Sequence, residues 1–324
     1  MTFSIIIAAY NVAPYIKKAI DSCINQIEID ENEYEIIVID DGSKDDTGKI
    51  IDEYNHITNM HIVHQQNKGL SGTRNYGVTI SKGDFIIYLD GDDWLLPNTL
   101  SSLRRNTANA DLIVFPMTYW YSQGNQIVSS YGLDENTIYS SYEFISKTIG
   151  RQKLNIIPAP CKCYKKSVLI ENKQKFIEGI LHEDNPYFAD TIKNFHKIIY
   201  INEGYYMYRQ HRVGSITNNH TIQNFIGVID GNKHILKTWQ CSNKYINYMV
   251  SSINIFQVIL KYEQIEDTHI VINHYRRIKE RWTALKQILN FPFIPKAIIR
   301  HLLFLIDPWI LMKITSLYYK KTAK

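Results

Sequence analysis

Hydrophobic residues in the first third of the chain fall into short unbroken blocks separated by longer stretches of mixed character. The blocks are Phe3 to Ala9, Tyr34 to Asp40, Met60 to His64 and Phe85 to Leu89. Runs of this length, rich in β-branched residues, predict strands: Met60 to His64 a short one, the other three buried on both faces. Between them the apolar positions change to helical spacing: Tyr15, Ile16, Ala19, Ile20 and Cys23 share one face of the segment after Val12. Further helices are expected from a cap at Asp45 or Asp46 to about Tyr54, over Gly69 to Ile80, and opening at Leu95-Leu96-Pro97 with the proline in the first turn. Strands alternating with helices predict βαβ units. The fold class is therefore α/β, with a mostly parallel, Rossmann-like central sheet flanked by helices.

Further along, Ala110 to Met117 reads as a strand, Tyr119 to Tyr131 as a hairpin across the sheet edge, and Ser140 to Ile149 as a helix. Strands are expected again at Lys197 to Ile201 and Tyr205 to Tyr208. A helix should follow His182-Glu183-Asp184-Asn185-Pro186 and run to about Ile192. From Thr221 onward the pattern is helical, which sets a boundary between residues 1–217 and a helical C-terminal region, 218–324.

Parallel sheets bind ligands beyond the carboxyl ends of their strands. Three predicted strands end in polar loops, at Tyr10-Asn11, at Asp40-Asp41-Gly42-Ser43 and at Asp90-Gly91-Asp92-Asp93, so these loops should converge on one crevice. The last holds three carboxylates in four positions at the mouth of a buried strand. Such a group repels itself unless a cation or hydrogen-bond donors sit among its members. Hard oxygen ligands at this density suit Mg²⁺ or Mn²⁺, which complete their shells with water and substrate phosphates. A charged turn with Asp93 capping the next helix is the competing reading of the same residues.

Composition adds a second theme. The 324 residues are 45% hydrophobic and 21% charged, ordinary for a globular chain. The four cysteines match neither a disulfide framework nor a zinc pattern, and Met1-Thr2-Phe3 runs straight into a strand without a basic leader. A reducing, cytoplasmic setting is expected. Charge is unevenly distributed. Residues 1–115 hold 9 Lys+Arg against 17 Asp+Glu, a net of −8, whereas residues 116–324 hold 27 against 15, a net of +12. Between 291 and 324 there are six basic residues and one acid, on a segment whose apolar residues include Ile298, Leu302, Leu305, Trp309 and Leu317. A basic amphipathic helix of this kind suits an anionic membrane surface; packing on the protein's own core or on a second subunit explains the same pattern. The basic residues are interleaved with long apolar helices and match no nucleic-acid-binding motif, so no nucleic-acid partner is expected.

Four stretches in register now resemble a family. They are Ile7-Ala8-Ala9-Tyr10-Asn11, Val38 to Asp45, Asn67 to Asn75 and Tyr88 to Asp93, with His182-Glu183-Asp184 and Arg209 to Ile216 at fitting distances downstream. Together they are similar to the family 2 glycosyltransferases with the GT-A fold, over roughly residues 1–217. The resemblance implies inverting transfer of a hexose or N-acetylhexosamine from a UDP-sugar to an acceptor hydroxyl. It implies a glycan or lipid-linked glycan acceptor in bacterial surface-polysaccharide synthesis (capsule, O-antigen or lipo-oligosaccharide), at the inner face of the membrane. By the same resemblance Asp184 is the general base, with Glu183 beside it. Asp92 is the first metal ligand, for Mn²⁺ or Mg²⁺. Asp90 meets the ribose or the metal's water shell, and Asp93 is open to either role. Asp41 or Asp40 accepts from uracil. Tyr10 stacks on the base, and Ala9, Asn11 and Gly91 line the site. Lys68 and Arg74 serve the nucleotide pocket or the acidic loops. Arg209, His211 or Arg212 closes over the diphosphate when donor binds, with His211 a candidate further metal ligand. The helical tail is compatible with a homodimer. A sugar-phosphate nucleotidyltransferase would want a Gly-rich basic phosphate loop after the first strand, which Ala9-Tyr10-Asn11-Val12 lacks.

Overall fold

A computed structural model describes residues 1–122, 124, 126–148, 156–202, 205–210, 226, 227, 230, 231, 234 and 235. The strands are β1 Phe3–Ala9, β2 Tyr34–Asp40, β3 Met60–His64, β4 Phe85–Asp90, β5 Trp94–Leu95, β6 Leu112–Val114, β7 Met117–Trp120, β8 Gln126–Val128, β9 Ile138–Tyr139, β10 Lys162–Lys165, β11 Ile198–Tyr200 and β12 Tyr206–Arg209. The helices are α1 Ala13–Ile24, α2 Thr47–Asp52, α3 Gly69–Ile80, α4 Thr99–Arg104, α5 Ser141–Lys147, α6 Lys166–Glu171 and α7 Asp184–Ile192.

The hydrophobic blocks form the centre of an eight-stranded sheet ordered β3-β2-β1-β4-β10-β6-β11-β9. β1 lies between β2 and β4, parallel to both, and every residue of β2 is buried. Burial on both faces is why these strands read as runs rather than alternations. The register pairs Ala9 with Asp40 and Ala8 with Asp90, which brings the ends of three strands to one level. Beyond β4 the sheet turns mixed, because β10 runs antiparallel between β4 and β6.

A second sheet, β5-β12-β7-β8, corrects two expectations. The segment expected to open a helix at Leu95 instead pairs Trp94 and Leu95 with Met207 and Tyr206, and α4 begins at Thr99. The hairpin expected across the edge of the main sheet is present as β7 and β8, but in this smaller sheet. In both cases the deciding partner is β12, more than eighty residues away in the chain, so local pattern could not show it. Cys23, Cys161 and Cys163 are free and buried.

Candidate active site

Three loops at the ends of β1, β2 and β4 do converge. Asn11 sits at φ 51°, a left-handed conformation that asparagine tolerates. Its N–H donates to Ser43 Oγ at 3.0 Å, and its Oδ1 accepts from the Lys44 N–H at 2.8 Å. This stitches the β1 loop to the β2 loop and leaves Tyr10 44% exposed at the crevice, the posture a stacking residue needs. Ala9 is different: it is buried with Ile5 and Ile7 in the core. The strand alternation that buries those two also turns the Ala9 side chain inward, so it does not line the crevice as expected. Its carbonyl accepts from the Asp41 N–H at 2.9 Å.

Asp40 and Asp41 were open alternatives, and their neighbours separate them. Asp40 faces away: Oδ1 accepts from the Ser43 N–H at 3.0 Å and Oδ2 meets His64 Nδ1 at 3.0 Å. His64 Nε2 reaches Asp52 at 2.9 Å. Asp41 turns instead to the loop after β3: it is 3% exposed, and its Oδ1 accepts from the Lys68 N–H and from Gln65 Nε2, both at 2.8 Å. The part of Lys68 in contact with the acidic loop is therefore its backbone; its Nζ lies 5.7 Å from the Tyr76 ring.

At the end of β4 the carboxylates take separate tasks. Asp93 is 1% exposed, and both its oxygens are engaged, Oδ2 by Tyr206 O–H at 2.6 Å and Oδ1 by the Arg209 N–H at 2.8 Å. Burial, then the charges of Asp92 and Asp90, push its pKa well up. Asp93 is thus a tie between the two sheets, neither a cation ligand nor a helix cap. Gly91 is buried rather than lining the site: a Cβ there would lie 3.0 Å from the Ala8 carbonyl, 3.1 Å from Val12 and 3.3 Å from Ile16 of α1, tighter than ordinary van der Waals contact. Asp92 is half-buried, and its carbonyl accepts from Arg209 Nε at 2.9 Å. The Arg209 guanidinium lies 4.8 Å from Tyr15 and 4.9 Å from Trp94.

The centre of the site is Arg74, on α3. It is 1% exposed, yet it donates to Asp90 at 2.8 Å and to Glu183 and Asp184 at 3.0 Å each. Tyr88 and Phe176 flank the guanidinium. One cation therefore joins the end of β4 to the start of α7. Expected at either the nucleotide pocket or the acidic loops, Arg74 belongs to the acidic loops. Three charges of one sign around a single buried cation leave the group over-supplied with negative charge. Glu183 responds most plainly: burial and the adjacent Asp184 outweigh Arg74 and push its pKa to about 7. Burial also raises Asp184 against the pull of Arg74. The Asp184 side chain keeps 25% of its surface exposed, against 10% for Glu183.

Strain gathers at the same place. His182 has φ 61° and Cys161 φ 69°, both left-handed without glycine's freedom, and they stand immediately before Glu183 and Lys162. Such conformations persist where surrounding contacts over-determine them. Gln65, Tyr206 and Lys162 are structural partners of the site that pattern reading missed. Nothing local distinguishes them from ordinary polar or strand residues. His211 and Arg212 lie outside the described residues.

The donor set at Asp90 and Asp92 fits a divalent cation of the Mg²⁺ or Mn²⁺ type. Hard carboxylate oxygens stand at a strand end, with one Asp90 oxygen on Arg74. Among the described residues no group of three His, Cys, Asp or Glu is placed to hold a metal. A cation here would complete its shell with water and phosphate oxygens, as Mg²⁺ commonly does.

Residues 4–172 match the family model "Glycosyl transferase family 2". The uncharacterized glycosyltransferase EpsJ of Bacillus subtilis is 28% identical over 64% of this chain and 60% of its own length. The first relatives are matched over 60% or less of their own lengths. The GalNAc(5)-diNAcBac-PP-undecaprenol beta-1,3-glucosyltransferase of Campylobacter jejuni is 29% identical over 66% of each chain. Among solved structures, S. aureus TarS 1-349 in complex with UDP-GlcNAc superposes with a TM-score of 0.71 at 18% identity, over 89% of this chain and 81% of that one. This similarity is one of fold, the GT-A arrangement of a large sheet flanked by helices.

Proposed function

Since this chain belongs to glycosyl transferase family 2, we propose that it moves a hexose or N-acetylhexosamine from a UDP-sugar to a hydroxyl of a glycan acceptor, with inversion. The observation that carries this reading is the Arg74 bridge. It places the donor-side carboxylate Asp90 and the acidic pair Glu183-Asp184 around one guanidinium, 16, 109 and 110 residues away in the chain. A donor held at the end of β4 would thus present its anomeric carbon towards the start of α7.

In this reading Tyr10 stacks on the base and Asp41 accepts from its N–H. Asp184, the more exposed of the acidic pair, takes the acceptor proton as the hydroxyl oxygen attacks the anomeric carbon. The sugar–phosphate bond breaks, and the electron pair leaves with UDP. Mn²⁺ or Mg²⁺ held by Asp92, with Asp90 beside it, would supply charge stabilisation of the leaving diphosphate. Glu183, buried beside Asp184 with its pKa pushed up, holds Arg74 and keeps the pair from carrying two full charges. The TarS complex with UDP-GlcNAc supports a UDP-sugar donor, and the undecaprenol-linked substrate in the name of the Campylobacter relative supports a lipid-linked acceptor. The basic amphipathic segment 296–324, outside the described residues, is assigned to the inner membrane face or to a dimer contact. Residues 1–217 are taken as the catalytic unit.

Calorimetric titration with UDP, with and without Mn²⁺, tests the donor half. Wild type should bind UDP more tightly with Mn²⁺, and Asp92→Asn should lose that gain. Equal affinity of both proteins in both conditions would remove Asp92 as the ligand.

A further inference from the structure

Between α6 and α7 the chain runs as an irregular linker, residues 172–183, which delivers Glu183 to the site. Two of its residues are buried, Glu183 itself and Phe176, which is 3% exposed; the others are exposed or half-buried. A surface segment of this kind has little core of its own, so a fixed path needs anchors. One side chain holds Phe176 at both of its main-chain groups. Asn75 Oδ1 accepts from the Phe176 N–H at 2.8 Å, and Asn75 Nδ2 donates to the Phe176 carbonyl at 2.9 Å. The same Nδ2 reaches Glu178 Oε1 at 3.2 Å. A carboxamide carries a donor and an acceptor side by side, which is what a peptide N–H and C=O require of one partner. Asn75 directly follows Arg74 on α3, and helical geometry turns the two side chains about 100° apart. Arg74 thus reaches the carboxylates while Asn75 reaches the linker.

The Phe176 ring touches both halves of the acidic site. It stacks on Tyr187 of α7, with centroids 3.6 Å apart and planes 10° from parallel, and the Arg74 guanidinium lies 5.1 Å from its centre. Tyr187 follows Asp184 by three residues and so shares its face of α7. Its hydroxyl pairs with that of Tyr88 on β4 at 3.1 Å. We infer that Asn75 is a positioning residue for the acidic pair: it pins Phe176, and the Phe176 ring, stacked on Tyr187 and set against Arg74, fixes where α7 begins and so where Glu183 and Asp184 meet the guanidinium. The inference rests on the reading of Asp184 as general base and adds the device that aims it. Coulomb attraction to Arg74 draws the carboxylates in from any direction. A reacting group must be held to about 0.5 Å, and that takes packing and directional hydrogen bonds around it. Helix α3 supplies both from adjacent residues, the charge from Arg74 and the clasp from Asn75.

The test uses the full chain with Asn75→Ala, which removes both hydrogen bonds, Phe176→Leu, which keeps an apolar side chain and removes the ring, and the double variant. Hydrogen exchange at the Phe176 amide reads the clasp directly, without any substrate. In Asn75→Ala it should speed up on the order of tenfold or more, with the amides of β1 and β2 unchanged. UDP release from the UDP-sugar that wild type consumes, chosen from UDP-glucose, UDP-galactose, UDP-GlcNAc and UDP-GalNAc, should show kcat lowered about 10- to 100-fold in each single variant, with donor KM within about twofold. Because both substitutions break one path, the double variant should fall no more than roughly threefold below the worse single. Unchanged Phe176 exchange in Asn75→Ala overturns the inference. So does an unchanged kcat, a loss that appears in donor KM instead, or a double variant whose kcat loss is the product of the two single losses. If Asn75→Ala fails to fold, Phe176→Leu decides by the split between kcat and donor KM. Asp184→Asn separates the two layers: retained turnover there removes the base assignment, whereas an inactive Asp184→Asn beside a fully active Asn75→Ala removes only the positioning role.

Discussion

At Arg74 one guanidinium meets three carboxylates, each within 3.0 Å, at 1% exposure. Removing one partner of a buried ion pair leaves uncompensated charge and costs about 3–5 kcal/mol. Arg74→Ala should therefore lose stability of that order in urea unfolding. Arg74→Lys should lose less stability but still lose turnover, because one ammonium cannot present the planar fork that spans Asp90 and the Glu183-Asp184 pair. Full activity in Arg74→Lys would count against the bridge as the organiser of the site. At this scale the sequence showed which residue types gather at strand ends, but not their tasks. Asp40 and Asp41 are adjacent and chemically equal. They differ because one abuts His64 and the other the Lys68 amide. Asp93 stands beside Asp92, yet its partners Tyr206 and Arg209 come from 113 and 116 residues away.

Elements carry these side chains only where their packing allows. Helix α3 lies on β1 at Gly77, where a Cβ would come within 2.5 Å of Ile6 Cγ2. Gly77→Ala should push the helix off the sheet, displace Arg74 one turn earlier, and lower stability by about 1–3 kcal/mol, measurable as a lower thermal midpoint. Helix α2 is pinned differently, by His64 of β3, which bridges Asp40 of β2 and Asp52 of α2. The Asp40 hydrogen bond is the main cause of a raised His64 pKa, with Asp52 adding to it. A raised folded-state value means the folded form binds the proton more tightly. This stabilisation is complete below the ordinary value of 6.5 and is lost as pH rises through the raised one. Thermal midpoints of wild type and His64→Gln should therefore differ most at acid pH and converge above neutrality. Parallel curves across that range would rule out this linkage. The helices and buried strands were legible from periodicity because each is a local property. The pairing of Trp94-Leu95 with β12 was not, because its determinant is a distant strand.

For the whole molecule, no helix among the described residues is long and apolar enough to cross a membrane. The charge split, −8 over residues 1–115 against +12 over the remainder, puts the carboxylates at the ends of β2 and β4 and the basic tail in opposite parts of the chain, with Glu183 and Asp184 in the basic part. If the tail meets anionic lipid, the full chain should co-sediment with vesicles containing phosphatidylglycerol. Binding should fall as salt is raised from about 0.05 to 0.5 M, through screening. Deletion of residues 296–324 should abolish it. Binding that survives the deletion would assign the segment to packing or to a subunit contact.

What the sequence determined by itself was the kind of fold and the edge of the sheet on which chemistry occurs. Unbroken apolar runs separated by helical periods admit few arrangements other than a parallel sheet, and such a sheet exposes its strand ends in a single crevice. Six motif stretches at consistent spacing then carried the family. Tertiary structure decided how charge is shared among those residues. Whether a carboxylate serves as a base, an oxygen ligand for a cation or an internal tie depends on which donors reach it. Those donors, Arg74, Tyr206 and Arg209, come from segments far apart in the chain and meet only once the sheets have formed.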